Sequence, residues 1–237
     1  MVKQMFYLAK WFFGAKFFNQ RKPLQSVIFI SDKCNLACKH CSVYNHTNPN
    51  IKTFEQIKEE IAYCYEQGSR FIDFEGGEPF IWEDNGKRID DLIDLAKSMG
   101  FYSCTITTNA QRSFVNSHAD SIWVSLDGVG EYHERIRGKG TFAKLEQNIS
   151  TCNHKALSVN MAINTLNYES VAETIEYVKN NPYIKSISLN FHTPFEGTEY
   201  LALDMEKRRE INSRYFHSLS ALLPFPQYSI SSKVCCN

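Results

Sequence analysis

CNLACKHC, residues 34–41, is the stretch from which the rest of this chain is read. Three cysteines, Cys34, Cys38 and Cys41, stand in C-x3-C-x2-C spacing directly after a short apolar run at 27–30 that reads as a strand. Closely spaced thiols on one loop are metal ligands. Thiolates are the usual ligands of iron–sulfur clusters, and a closed four-iron cluster takes four of them. Three on one loop leave an iron without a protein partner and open to a substrate or cofactor. The same loop also admits a structural zinc site, with His40 or His46 as the fourth ligand.

Downstream of the loop, strand-like and helix-like patterns alternate. Thr53 and Gln56 form a capping box for a helix with Phe54, Ile57, Ile61 and Tyr65 at helical spacing, and Gly68 stands where it stops. A strand at 71–74 follows. The next helix carries Ile89, Leu92, Ile93, Ala96 and Met99 and ends at Gly100. Further strands are expected at 102–107, 122–126, 157–163 and 184–191. Between the later ones lie a helix capped by Thr141 with Phe142, Leu145 and Ile149, and another with Val171, Ile175 and Val178. Asp204 caps a last helix through Ile211, Tyr215 and Leu219. Strands alternating with helices pair in parallel through right-handed crossovers. Six units are fewer than the eight of a closed barrel. The expected fold is therefore α/β, a partial (β/α)6 TIM-type barrel of parallel strands. Its chemistry belongs at the C-terminal ends of those strands.

Three segments are expected: an N-terminal aromatic helical segment (1–24), the partial barrel (25–222) and a C-terminal tail (223–237). The first, MVKQMFYLAKWFFGAKFF, has lysines inside its apolar run and is too short to span a bilayer. It reads as a short helix that packs against the domain or lies on a membrane surface, and as a cover for one opening of the barrel. The 26 basic and 26 acidic residues cancel, which removes any global attraction to nucleic acid or an anionic membrane. Eight cysteines in 237 residues are too sparse for a secreted disulfide scaffold. Cys64, Cys104 and Cys152 read as small buried residues. A reducing, cytoplasmic setting is expected.

After the second strand comes GGEP (76–79): Gly76 and Gly77 let backbone approach a ligand, Glu78 offers a carboxylate suited to an ammonium group, and Pro79 closes the turn. CNLACKHC followed by GGEP resembles the radical S-adenosylmethionine (SAM) superfamily, whose hallmark is C-x3-C-x-Φ-C with Φ usually aromatic. The resemblance runs from about Val27 to His192. It implies a [4Fe–4S] cluster on Cys34, Cys38 and Cys41, with SAM chelating the fourth iron through its amino and carboxylate groups. His40 occupies the Φ position, which in the family lies near the adenine. GGEP matches the segment that meets the methionine ammonium.

TTN (107–109), with Thr108 and Asn109, and SLDG (125–128), with Ser125 and Asp127, look like segments of the branch containing molybdenum-cofactor synthesis enzymes and peptide-modifying maturases. Ser125 is implied to contact SAM, and Asp127 to face SAM or substrate. HERIRG (133–138) resembles that branch's H-D-x-x-R-G pattern, with Glu134 in place of Asp. Arg137 then matches the arginine expected near the SAM carboxylate, a pairing that suits a guanidinium fork. Asn164 is a candidate for the ribose, and His192 for the substrate cavity. Only Cys235 and Cys236 follow the sixth strand, where many relatives carry cysteine-rich segments for auxiliary clusters.

The resemblance implies a reduced cluster that passes one electron to SAM, releasing methionine and a 5′-deoxyadenosyl radical that abstracts hydrogen from a substrate. That in turn implies a reducing partner such as flavodoxin or ferredoxin. The substrate stays open among a peptide, a small metabolite and a membrane-associated lipid. A non-catalytic iron–sulfur or zinc-binding protein is the alternative. GGEP and the arginine after SLDG separate the two readings, because a plain metal clip needs neither.

Overall fold

A computed structural model of the chain describes residues 2–42 and 48–216. Six strands form one sheet: β1 (Gln25–Ser31), β2 (Phe71–Gly76), β5 (Ser103–Thr108), β6 (Ser121–Ser125), β7 (Leu157–Ile163) and β8 (Ile184–Phe191). They stand in that order and every pair is parallel. Helices α2 (Phe54–Glu66), α3 (Ile89–Met99), α5 (Thr141–Ser150) and α6 (Val171–Asn180) make crossovers between strands. α1 (Val2–Phe17) precedes the sheet, α4 (Glu131–Arg137) follows β6, and α7 (Met205–Ile211) follows β8. β3 (Glu83–Asp84) and β4 (Lys87–Arg88) form a small hairpin. The architecture is the open six-stranded partial barrel that the alternation predicts.

The register explains why this sheet holds together. Ile28, Phe74, Ile106, Ile122, Leu157 and Ile184 are aligned neighbours across all six strands, and every one is buried under the helices. Burying each such side chain contributes roughly 1.5–3 kcal/mol. Ile57 and Ile61 of α2 and Leu92 and Ile93 of α3 complete the same core at full burial. The alternate positions, such as Asp73, Thr105 and Ser121 in one row and Ser125, Asn160 and Ser188 in another, point to the opposite face. That face is mostly polar, with Val27, Phe29 and Trp123 among its apolar exceptions, and on it Ser158 Oγ lies 2.7 Å from Ser186 Oγ and Thr107 Oγ1 3.4 Å from Glu75 Oε1.

Several local features follow the sequence reading. Thr53 and Gln56 form the capping box, and Asp204 caps α7 by accepting from the Lys207 amide. Others differ. The cap before α5 is Gly140, and Thr141 is the first helical residue, its hydroxyl donating to the Gly138 carbonyl at 2.6 Å. The hairpin turns at Asn85–Gly86, both at positive φ, the pairing that favours a tight two-residue turn. α4 lies between β6 and α5, where the sequence reading places no helix. The expected continuation of α7 to Leu219, and the tail with Cys235 and Cys236, lie outside the described residues.

α1 packs across the N-terminal ends of the strands. Tyr7 donates to the Gly68 carbonyl and its ring tilts against Tyr102 at 5.6 Å. Trp11 Nε1 donates to the Lys22 carbonyl at 2.8 Å. α1 therefore lies at the end of the sheet opposite the cysteine loop.

Candidate functional site

The cysteine loop leaves β1 at Ser31, whose hydroxyl accepts from the Lys33 amide at 2.9 Å. It then runs against the end of β2. Gly77 donates its amide to the Ser31 carbonyl at 2.6 Å, and Glu78 donates its amide to the Lys33 carbonyl at 3.0 Å. A Cβ on Gly76 would collide with the Ser31 carbonyl, and one on Gly77 with the Lys33 carbonyl. The close approach that these two glycines permit is therefore made by the cysteine loop itself.

Glu78 likewise faces protein. Its carboxylate is 1% exposed and accepts from the Thr108 hydroxyl at 2.8 Å, the Asn109 amide at 2.7 Å and the Phe80 amide at 3.1 Å. Burial raises its pKa, and these bonds partly restore the charged form. Glu78 thus ties the turn after β2, which opens with the buried Pro79, to the turn after β5. Beyond that tie, Ala110 holds a left-handed backbone, with φ 57°, that a non-glycine residue rarely adopts. The turn aims Asn109 Nδ2 at Cys34 Sγ, 3.6 Å away, and at Asn35 Oδ1, 2.9 Å away.

A second clamp comes from the far side. The Lys39 amide donates to the Ile136 carbonyl of α4 at 3.0 Å. Arg137, at the end of that helix, donates from Nε to Asp127 Oδ2 at 2.6 Å and places Nη1 3.8 Å from Cys38 Sγ. Asp127 is fully buried. It accepts from the Ala162 amide at 3.0 Å, and its Oδ2 lies 3.6 Å from His40 Nε2. Burial works against its charge, but Arg137 and then His40 and His133 hold the carboxyl below the usual range. Asp127 therefore joins the end of β6, α4, β7 and the cysteine loop, and Arg137 stands between Asp127 and a cluster thiol. Both of its oxygens have partners inside the protein.

Other candidates are placed differently. Asn164 is fully buried and closes its own turn, donating to the Ala162 carbonyl and accepting from the Leu166 amide. Ser125 ends β6 on the polar face, and its hydroxyl has no partner among the described residues. His40 stands edge-on to His192 at 6.2 Å, and its Nδ1 is buried without a partner. Burial lowers its pKa. His192 Nε2 is 3.2 Å from the Thr198 hydroxyl.

Two residues of the site are missed by the sequence reading. His133, inside the quoted HERIRG, is fully buried and accepts the Asp127 amide at its Nδ1, 3.2 Å away. Burial, then the charge of Arg137, push its pKa down to about 3. Asn167 donates to the carbonyls of Asp127 and Ala162, and nothing in its neighbourhood of sequence distinguishes it.

The donor set decides whether these residues suit an iron–sulfur cube. Cys34, Cys38 and Cys41 are free thiols on one loop, close enough to feel one another's charge. Burial pushes Cys38 up to about 11 against the pull of Arg137, and raises Cys34 against the Leu36 amide and the Asn109 side chain. Such thiols bind metal by giving up protons. Among the described residues no three donors converge on a point that would hold a single ion. A cube does not ask for that, since each thiolate takes its own iron. N–H groups aimed at Cys34 and Cys38 are the contacts that stabilise ligated thiolates. The set fits the cube.

Comparison with known proteins agrees. Residues 28–178 match the family described as the Radical SAM superfamily. The chain is 24% identical over 173 residues to the GTP 3',8-cyclase of Clostridium perfringens, covering 65% of this chain and 51% of the cyclase. It is 26% identical over 149 residues to the antilisterial bacteriocin subtilosin biosynthesis protein AlbA of Bacillus subtilis, covering 60% and 33%. In fold it is similar to Streptococcus suis SuiB, solved bound to S-adenosylmethionine, with a TM-score of 0.71, 19% identity, and coverage of 89% of this chain and 51% of SuiB. The chain thus spans about half, or less, of the length of these relatives. The matched segment takes in the cysteine loop, both of its clamps and five of the six strands of the sheet, and by that match the chain belongs to the radical SAM superfamily.

Proposed function

We propose that Cys34, Cys38 and Cys41 hold a [4Fe–4S] cluster with one iron open to SAM, and that the protein is a radical SAM enzyme acting on a peptide or a small polar molecule. Bound there, the cluster supplies the single electron whose transfer to the SAM sulfonium releases methionine and a 5′-deoxyadenosyl radical able to take hydrogen from a substrate carbon. The observation that carries this reading is the double clamp on the loop: Asn109 aimed at Cys34 from one side, and Arg137 at Cys38 from the other.

The protein's own part is positional. Glu78, Thr108 and Asn109 fix one side of the loop, and Asp127, Arg137 and His133 fix the other, so the thiols are presented in one arrangement. SAM would lie over the ends of β2, β5 and β6. The Gly76–Gly77 backbone, the Ser125 hydroxyl and the His40 ring are the groups left to meet it. The polar face of the sheet, with Asp73, Glu75, Thr105, Thr107 and Ser158, would receive the substrate and favours a polar one. A reducing partner such as flavodoxin or ferredoxin would deliver the electron. The six described cysteines are free thiols, which suits a reducing cytoplasm.

The test is anaerobic reconstitution with iron and sulfide, followed by dithionite and SAM. Formation of 5′-deoxyadenosine is expected. A colourless protein that retains zinc and leaves SAM intact would contradict the reading.

A further inference from the structure

α1 is apolar on two sides. One side is used by the barrel, through Tyr7, Trp11 and the buried Gly14. The other is not. Phe6, Phe13 and Phe17 share a stripe at helical spacing and are 73%, 54% and 65% exposed. Phe13 stacks on Phe17 at 5.6 Å and meets Phe12 edge-on at 6.0 Å, so the rings form one continuous surface. Met5 and Phe18 extend it. An apolar surface of this extent, left outside the core, marks a site of interaction.

Charge identifies what fits it. The first 24 residues hold Lys3, Lys10, Lys16, Arg21 and Lys22, all exposed, and no aspartate or glutamate, although the whole chain is balanced. A second copy of this surface would bring the same positive charge against it. An anionic lipid surface is complementary to both features, since rings settle at the acyl boundary and ammonium groups among phosphates. The helix has 16 residues and a length of about 24 Å, and among the described residues no helix is long and apolar enough to cross a membrane.

We infer that α1 is an interfacial helix that lies in the plane of an anionic bilayer and docks the N-terminal end of the barrel on it. The cysteine loop stands at the other end of strands of six to eight residues, about 20 Å away. The bilayer therefore anchors the protein with its cluster site turned toward the aqueous side, and does not feed that site with hydrocarbon through α1.

Vesicle co-sedimentation of the full chain tests this directly, with phosphatidylcholine vesicles compared with vesicles containing about one third phosphatidylglycerol. Binding to the anionic vesicles is expected to exceed binding to the neutral ones by at least about tenfold and to fall with salt. Phe6→Ser/Phe13→Ser/Phe17→Ser and, separately, Lys10→Glu/Lys16→Glu should each lower it by about tenfold or more. The substituted side chains are exposed, so circular dichroism should be unchanged, and that spectrum is the folding control. No binding to anionic vesicles, or equal binding to both compositions, overturns the inference. So does a stable dimer in light scattering that the phenylalanine variant dissolves. None of these outcomes depends on SAM cleavage, so the docking surface and the radical chemistry stand or fall separately.

Discussion

At the C-terminal ends of the strands, Glu78 and Asp127 are buried carboxylates bonded to chain segments 31 and 35 positions away, and the buried His133 accepts the Asp127 amide. At the N-terminal ends, Phe6, Phe13 and Phe17 are apolar side chains left exposed. Each arrangement is costly by itself. A buried charge needs partners, and an exposed ring forgoes burial. The first cost is offset within the molecule, by bonds that hold the cysteine loop. The second is offset by nothing among the described residues, and it points to a partner outside them. The contrast separates a site whose geometry the fold fixes in advance from a surface that the fold merely displays.

Substitutions should therefore act unequally on the two ends. Asp127→Ala leaves Arg137 buried without its carboxylate and is expected to destabilise the protein by about 3–5 kcal/mol in urea unfolding, and to lower iron uptake. Gly77→Ala forces a Cβ into the Lys33 carbonyl and should cost about 1–3 kcal/mol, with a marked loss of bound iron. A pH dependence comes from His133. Its folded pKa, about 3, lies below the ordinary 6.5, so neutral His133 contributes stability that is present above pH 6.5 and lost as pH falls toward 3. About 2 kcal/mol should be lost between pH 7 and pH 5, and His133→Gln should remove most of that slope. At the other end, Phe6→Ser/Phe13→Ser/Phe17→Ser should change unfolding free energy by less than about 0.5 kcal/mol. A large effect from the phenylalanines, or a negligible one from Asp127 or Gly77, would break the comparison.

What the sequence makes legible follows the range of the interactions. The strand order and the capping box at Thr53 rest on local periodicity and neighbours, and both are present in the structure. The cysteine loop, GGEP and SLDG are legible as motifs because their residues are contiguous. The tasks of those residues are not local. Glu78 is bonded to Asn109, 31 positions away, and Arg137 approaches Cys38, 99 positions away. A reading by motif finds these side chains but not the long-range contacts they make within the protein. α4 escapes notice because seven residues carry too little periodic signal, and the hairpin because its Asn85–Gly86 turn joins strands of two residues each.

The most direct test of the central claim is electron paramagnetic resonance of the anaerobically reconstituted, dithionite-reduced protein, recorded before and after SAM is added and paired with iron and sulfide analysis. The account predicts about four irons and four sulfides per chain, and a spectrum that changes when SAM occupies the open iron. A single zinc per chain, or a cluster signal indifferent to SAM because a protein side chain already fills its fourth corner, would contradict it.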